Sequence, residues 1–192
     1  MRPLPELLHE CGMHLLALSE AMARCPRPLM PAHFEPRNPD LIAALDQFAY
    51  RFAKLQDTAS TQLFRRFAVD VLAEPVEDAP VVDILNLLER YRLLPSAARW
   101  QEIRQMRNQI SHEYALKPAE LAVALELAFG MVGEMGQVVG HRAQHLVQHG
   151  RQHGIVGCDG FEQMELFGNG VHGSTSKDRS RRLQYMRTSV AY

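Results

Sequence analysis

Apolar residues recur at every third or fourth position along most of the first 149 residues. This is the period of an amphipathic helix, in which one face is buried and the opposite face contacts water. The clearest run follows Asp40, a residue type that often caps a helix N-terminus. Its apolar positions are Leu41, Leu45, Phe48, Phe52 and Leu55, continued by Leu63, Phe64 and Phe67 toward Leu72. The run predicts a long helix that ends before Pro75.

The same period predicts four more helices. They cover about 5–24, Asp83–Tyr91, a segment that Ser96 can cap, and about 118–149. Five prolines between residues 25 and 39 predict a loop after the first helix. No set of four or more β-strands is apparent in the sequence. We therefore expect an all-α protein, an antiparallel helical bundle of about five helices.

The chain changes character after Gly150. Six further glycines lie between residues 151 and 176, and the segment shows neither a helical nor a strand period. A short basic stretch from Lys177 to Arg187 follows, which is either a solvated tail or a contact for RNA phosphates. The expected organisation is a helical domain over residues 1–149 and an irregular C-terminal extension over residues 150–192.

Composition narrows the class of protein without indicating a function. The 192 residues carry a net charge of −1, so the charge balance is not that of a dedicated nucleic-acid binder. Cys11, Cys25 and Cys158 are far apart and imply neither a disulfide framework nor a cysteine metal site. No signal peptide is apparent, and no stretch approaches the roughly 18 apolar residues of a membrane span. These features favour a cytoplasmic protein.

The segment Arg107–Tyr114 concentrates side chains that suit phosphate chemistry. Arg107 offers a planar set of donors for a phosphate, and His112 can move protons near neutral pH. Asn108 and Ser111 can orient a neighbour or contact a phosphate oxygen. Cleavage of RNA through its own 2′-hydroxyl needs these roles and no metal ion. The spacing of Arg107 and His112 alone has no weight, because about one such pair is expected by chance in this chain.

Helix geometry adds a constraint on this segment. Ile103, Met106 and Ile110 define the buried face of the predicted helix. On a straight helix Arg107 lies about 40° from Ile103, whereas His112 lies about 180° from it. If Arg107 and His112 share one site, either the helix bends or ends between them or two subunits contribute to the site.

The string Arg107-Asn108-x-x-x-His112-x-Tyr114 resembles the RNxxxHxY signature of HEPN domains, which are toxins or partners of minimal nucleotidyltransferases. The segment from Phe48 to Asp57 resembles the second helix of these domains. The order of Ile84–Leu94 and the motif helix is also similar to theirs. The resemblance covers about residues 1–149.

The resemblance implies a homodimer in which two motif helices face each other and build a metal-independent endoribonuclease site without a cofactor. Arg107 would stabilise the scissile phosphate, His112 would act as general acid or base, and Asn108 would position the local network. Tyr114 matches the tyrosine that a cognate nucleotidyltransferase antitoxin can modify with adenylyl groups. The alternative is a non-catalytic protein that presents substrate, or Tyr114 itself, to the nucleotidyltransferase.

Two further sets of residues leave two interpretations open. Arg51, Lys54 and Asp57 are spaced along one side of the second helix, either as a polar rim of the site or as a solvated face with helix ion pairs. A ladder of histidines at every fourth position can bind Zn²⁺ or Ni²⁺ or simply form a polar helix end. The ladder consists of His141, His145, His149 and His153. The polar helix end is favoured, because neither a carboxylate nor a cysteine joins the ladder.

Overall fold

The computed structural model describes the backbone of residues 2–111 and 117–153, and the side chains of residues 2–111 and 117–140. All regular secondary structure in these ranges is helical, and they contain no strand. Five helical rods pack together, the second of which is interrupted by one wide turn. The expected all-α helical bundle is confirmed.

The first rod is helix α1, Leu4–Ala23. The proline-rich segment that follows is a loop with one short 3₁₀ turn, Pro31–His33, as the prolines predict. Helix α2 spans Pro39–Thr58 and starts one residue before the predicted cap. Asn38, not Asp40, is the N-cap, because its side chain accepts from the amides of Asp40 and Leu41, and Pro39 suits the first helical position.

Helix α2 continues into a π turn, Ala59–Leu63, and then into the short helix α3, Phe64–Asp70. Helix α4 spans Val81–Arg90. Helix α5 spans Ala97–Ile110 and begins at the predicted Ser96 cap, whose hydroxyl accepts from the Arg99 amide. Helix α6 spans Pro118–His153 and passes the predicted end near residue 149.

Helix α2 is central to the core, because it contacts both α1 and α5. Phe48 packs edge-on against Phe129 of α6, with ring centroids 4.5 Å apart. On the next part of the rod Phe64 packs against Trp100 of α5 at 4.8 Å. These aromatic contacts hold α6 and the first turn of α5 against the rod formed by α2 and α3.

One helix contradicts the expectation that no segment is long and apolar enough to span a membrane. Residues Pro118–Gly140 of α6 are long and apolar enough to cross a membrane, so the prediction that no stretch qualifies is wrong. However, 61% of its most apolar window is buried inside the bundle. A helix in the core of a bundle is also apolar on most sides, because most of its surface contacts other helices.

Candidate functional site

Helix α5 ends between Arg107 and the position of His112. Its last residue is Ile110, and the carbonyl oxygen of Arg107 accepts from both the amide and the hydroxyl of Ser111, at 3.2 and 2.7 Å. The hydroxyl of Ser111 therefore gives this carbonyl a second donor at the end of the helix. The sequence left open a bend, a helix end or a contribution from two subunits, and the structure contains a helix end after Arg107.

The guanidinium of Arg107 is held at the surface by two neighbours. Its Nη2 donates to Oδ2 of Asp57 at 2.7 Å, and its Nη1 donates to Oδ1 of Asn108 at 2.9 Å. The Arg107 side chain is 32% exposed and that of Asp57 47%. Nε is buried and has no hydrogen-bond partner among the residues that the structure describes. The guanidinium is thus oriented, but it retains donors that two acceptors do not use.

The antiparallel packing of α2 and α5 brings Arg107 to Asp57. Ser60, three residues after Asp57, accepts from Nε1 of Trp100, seven residues before Arg107, at 2.8 Å. At this contact α2 and α5 therefore run in opposite directions. Gln56 also donates to the Ser60 hydroxyl, at 2.8 Å. This buried pair of hydrogen bonds fixes the register that places the Asp57 carboxylate opposite the last turn of α5.

Arg51 lies on the other flank of α2 and contacts α1. Its Nη1 is 3.3 Å from Nδ1 of His14, so these two nitrogens share a hydrogen bond in which the arginine donates. Arg51 and Asp57 are therefore directed to different neighbouring helices. The structure brings together Arg107, Asn108 and Asp57 among the predicted residues, and Arg51 belongs to a second polar group.

This second polar group is centred on His14, which is 7% exposed. Nε2 of His14 lies 3.5 Å from a carboxylate oxygen of Glu10, which also accepts from the Thr58 hydroxyl at 3.1 Å. Burial lowers the pKa of His14 below its usual value, and the charges of Arg51 and Lys54 lower it further, against the opposing effect of Glu10. His14 is therefore neutral near pH 7.

Burial raises the pKa of Glu10, but the hydrogen bonds that its carboxylate accepts from Arg2 and Thr58 outweigh this effect, so that the net shift is downward. The sequence interpretation missed this group. The signal was a histidine among the apolar positions of α1, since a buried histidine requires polar partners on the neighbouring helix.

Other predicted residues lie outside what the structure describes. His112 and Tyr114 belong to residues 112–116, and Lys177–Arg187 belongs to residues 154–192. The backbone of α6 is one continuous helix through the histidine ladder, although its side chains from residue 141 onward are not described. The four ladder residues therefore lie about one turn apart on this helix, at His141, His145, His149 and His153.

The described part of the site offers an oriented arginine, an amide and a carboxylate at a helix end. Within the described ranges no cluster of three or more histidine, cysteine or carboxylate side chains could hold a metal ion. Comparison with known proteins gives no further guidance, because no family model, curated protein or solved structure matches this chain.

Proposed function

We propose that this chain is a HEPN-type toxin of a toxin–antitoxin pair, a metal-independent endoribonuclease that acts in the cytoplasm as a homodimer. RNA cleavage proceeds by attack of the 2′-hydroxyl on the neighbouring phosphate. Arg107 stabilises the negative charge on phosphorus, and His112 transfers a proton. A nucleotidyltransferase antitoxin neutralises the toxin, with Tyr114 as the residue that it modifies.

The observation that carries this proposal is the end of α5 at Ile110, two residues after Asn108. The helix stops two residues before His112, so His112 need not follow the straight-helix direction that would separate it from Arg107. Asn108 and Asp57 orient the guanidinium from two sides, which supports the positioning role that the family resemblance gives to Asn108.

The Arg107–Asp57 ion pair does not prevent phosphate binding by Arg107. Because the two side chains are 32% and 47% exposed, the pair is worth only about 0.2–1 kcal/mol. A hydrogen bond to a charged group is worth about 1.5–3 kcal/mol, and a guanidinium can form two parallel ones with a phosphate. A phosphate can therefore compete with Asp57 or share the guanidinium with it.

An exposed apolar pair on α6 supports a dimer. Val123 and Leu127 lie one helical turn apart within the first three turns of the helix and are 62% and 54% exposed. Gly130 continues this side of α6, and a Cβ there would meet nothing within 4 Å. A second copy packed on this face would bury Val123 and Leu127.

The second candidate function is a non-catalytic partner of a nucleotidyltransferase. The observation that favours it is the Arg107–Asp57 pair, because this guanidinium already has a carboxylate partner within the protein. In this case the segment Arg107–Tyr114 is a contact surface, and the protein presents substrate or Tyr114 without cleaving RNA.

Cleavage of a single-stranded RNA by the full chain tests the first function. We expect His112→Ala to abolish cleavage and Arg107→Ala to reduce it by about 100-fold or more. Arg99→Ala is the matched control, since Arg99 also forms a cross-helix ion pair from α5, with Glu134. Cleavage should persist in a chelator and cease on a 2′-deoxy substrate.

Mixing the two inactive variants tests the shared site. In a mixed dimer one intact Arg107 and one intact His112 come from different chains, so activity should exceed that of either variant alone. Unchanged cleavage by folded His112→Ala would exclude the endoribonuclease proposal. Wild-type protein that binds a nucleotidyltransferase tightly but cleaves no RNA would select the non-catalytic partner instead.

A further inference from the structure

Tyr50 is a large aromatic side chain on the water-facing side of α2. It is 56% exposed, more than Tyr91, the other exposed tyrosine of the described chain. Two cations flank its ring: Cζ of Arg51 is 5.5 Å and Nζ of Lys54 is 5.7 Å from the ring centroid. Proteins hold single-stranded nucleic acids with exposed aromatic rings, on which bases stack, beside cations that contact the phosphates.

The position of Tyr50 relative to the candidate site follows from helix geometry. Tyr50 precedes Asp57 by seven residues, which is about 10.5 Å along the helix with a rotation of about 20° between them. Both residues therefore lie on one side of α2. A stacked strand advances about 3.4 Å per phosphate, so the interval corresponds to about three nucleotides, or fewer if the strand is extended.

The direction from Asp57 to Tyr50 leads away from the body of α5. Because α2 and α5 are antiparallel, with Ser60 opposite Trp100 and Asp57 opposite Arg107, the part of α2 before Asp57 lies beyond the last turn of α5. Among the described helices, α5 therefore does not cover Lys54 or Tyr50. A strand bound at Arg107 can continue along this part of α2.

Charge limits the direction of such a strand. Lys54 is exposed and lies between Tyr50 and Asp57 on α2, so a phosphate that follows the scissile one meets a cation first. Asp46 is exposed one turn before Tyr50 and would repel a phosphate, so the favourable track ends at the tyrosine. On α5, Arg104 is exposed three residues before Arg107, so it adds a positive charge on the side of Arg107 away from Tyr50.

We propose that Tyr50, with Arg51 and Lys54 beside its ring, is a base-stacking platform that holds single-stranded RNA about three nucleotides from Arg107. The proposal rests on the proposed function for its ligand, since Arg107 is taken as the residue that contacts the scissile phosphate. It adds a binding contact that sequence-tolerant RNA recognition needs, because every base has a face that stacks on an aromatic ring.

Binding of an RNA that cannot be cleaved tests the platform separately from the chemistry. The probe is a short fluorescein-labelled single-stranded RNA with 2′-O-methyl riboses, which lack the attacking hydroxyl, and its anisotropy is measured with the full chain. Tyr50→Ala should weaken binding by about 5- to 140-fold, the range expected for loss of one base stack. Tyr50→Phe should retain most of the affinity, because the ring remains.

One further variant is a control, and another tests the phosphate contact. Tyr91→Ala removes an exposed tyrosine whose ring has a cation, Arg90, 6.0 Å away and whose hydroxyl donates to Glu74, and it should leave RNA binding unchanged. Lys54→Ala should reduce the slope of log affinity against log salt by about 0.7, as expected for loss of one single-strand phosphate contact.

A third variant reports on stacking directly and replaces Tyr50→Ala if that protein does not fold. Trp100, the one tryptophan of the chain, is buried, so in Tyr50→Trp the added indole is the exposed one. Its fluorescence should be quenched when the uncleavable RNA is added.

The outcomes separate the platform from the ribonuclease. Wild-type affinity in Tyr50→Ala, or failure of the wild type to bind the uncleavable RNA, would overturn the platform. If the wild type cleaves ordinary RNA while Tyr50→Ala binds normally, the ribonuclease stands and the platform does not. If binding depends on Tyr50 but ordinary RNA stays intact, the platform stands and the ribonuclease does not.

Discussion

Asp57→Asn separates a structural ion pair from a positioning contact. The substitution keeps the size of the side chain but removes the charge that accepts from Nη2 of Arg107 at 2.7 Å. Since this pair is only partly buried, we expect a stability loss of at most about 1 kcal/mol, or a Tm lowered by about 2–4 °C. The effect on cleavage should be larger, because a guanidinium that is displaced by about 1 Å can reduce the rate by about 100-fold.

The assay is steady-state cleavage of a labelled RNA, with kcat and KM determined separately. Loss of orientation should lower kcat, whereas removal of a negative charge beside the phosphate should leave KM unchanged or lower it. If Asp57 acts through Arg107, the double variant with Arg107→Ala should be no slower than Arg107→Ala alone. The matched control is Glu134→Gln, which weakens the ion pair of Arg99 elsewhere on α5.

Two results would refute this reasoning. A kcat of wild-type size in Asp57→Asn would show that the carboxylate does not position the guanidinium. Equal losses of kcat in Asp57→Asn and in Glu134→Gln would show that both act through general stability of α5.

Two further predictions concern the buried polar groups. Because burial holds the pKa of His14 below its usual value of about 6.5, the unfolded chain takes up a proton that the folded chain does not. The free energy of unfolding by urea should therefore fall as the pH is lowered below about 6.5, and His14→Gln should remove this part of the fall. Ser60→Ala leaves the buried Nε1–H of Trp100 without its acceptor and should cost about 1–3 kcal/mol in the same urea measurement. Ser60→Ala should cost less in a Trp100→Phe background, where only the Gln56 amide loses its acceptor, and an equal cost in both backgrounds would contradict the assigned hydrogen bond.

The helices were predictable from the sequence because burial imposes a period on each of them. Ser96 was identified as a cap from its residue type and place, and the structure confirms it. The prediction of Asp40 as an N-cap was wrong. Asn38 and Asp40 are both residue types that cap helices, and Asn38 is the cap because Pro39 between them suits the first helical position. Local residue preferences thus define the presence of a helix better than its first residue.

The contacts between helices were not predictable in the same way. Arg107 and Asn108 are adjacent in the sequence, and the sequence analysis singled out both of them. Asp57 was one of several polar residues on its helix, and its pairing with Arg107 depends on the register of α2 against α5. That register is determined by buried groups such as Ser60 and Trp100, which have no chemical motif in the sequence.

The π turn explains how one helix serves both the core and the candidate site. On an uninterrupted α-helix Phe64 and Phe67 would lie about 160° and 100° from Phe48, so they would leave the buried face. One additional residue in the turn Ala59–Leu63 rotates them back by about 100°, and both are fully buried.

The sequence contains the corresponding signal, because Gln62 stands where the three-and-four spacing from Leu55 requires an apolar residue. Next to the wide turn, the carbonyl oxygen of Asp57 accepts a hydrogen bond from the Thr61 hydroxyl at 2.8 Å. The turn therefore lets α2 present Tyr50 and Asp57 to water before it and keep the aromatic core intact after it. Without the turn, either the core packing of Phe64 or the pairing of Asp57 with Arg107 would have to be lost.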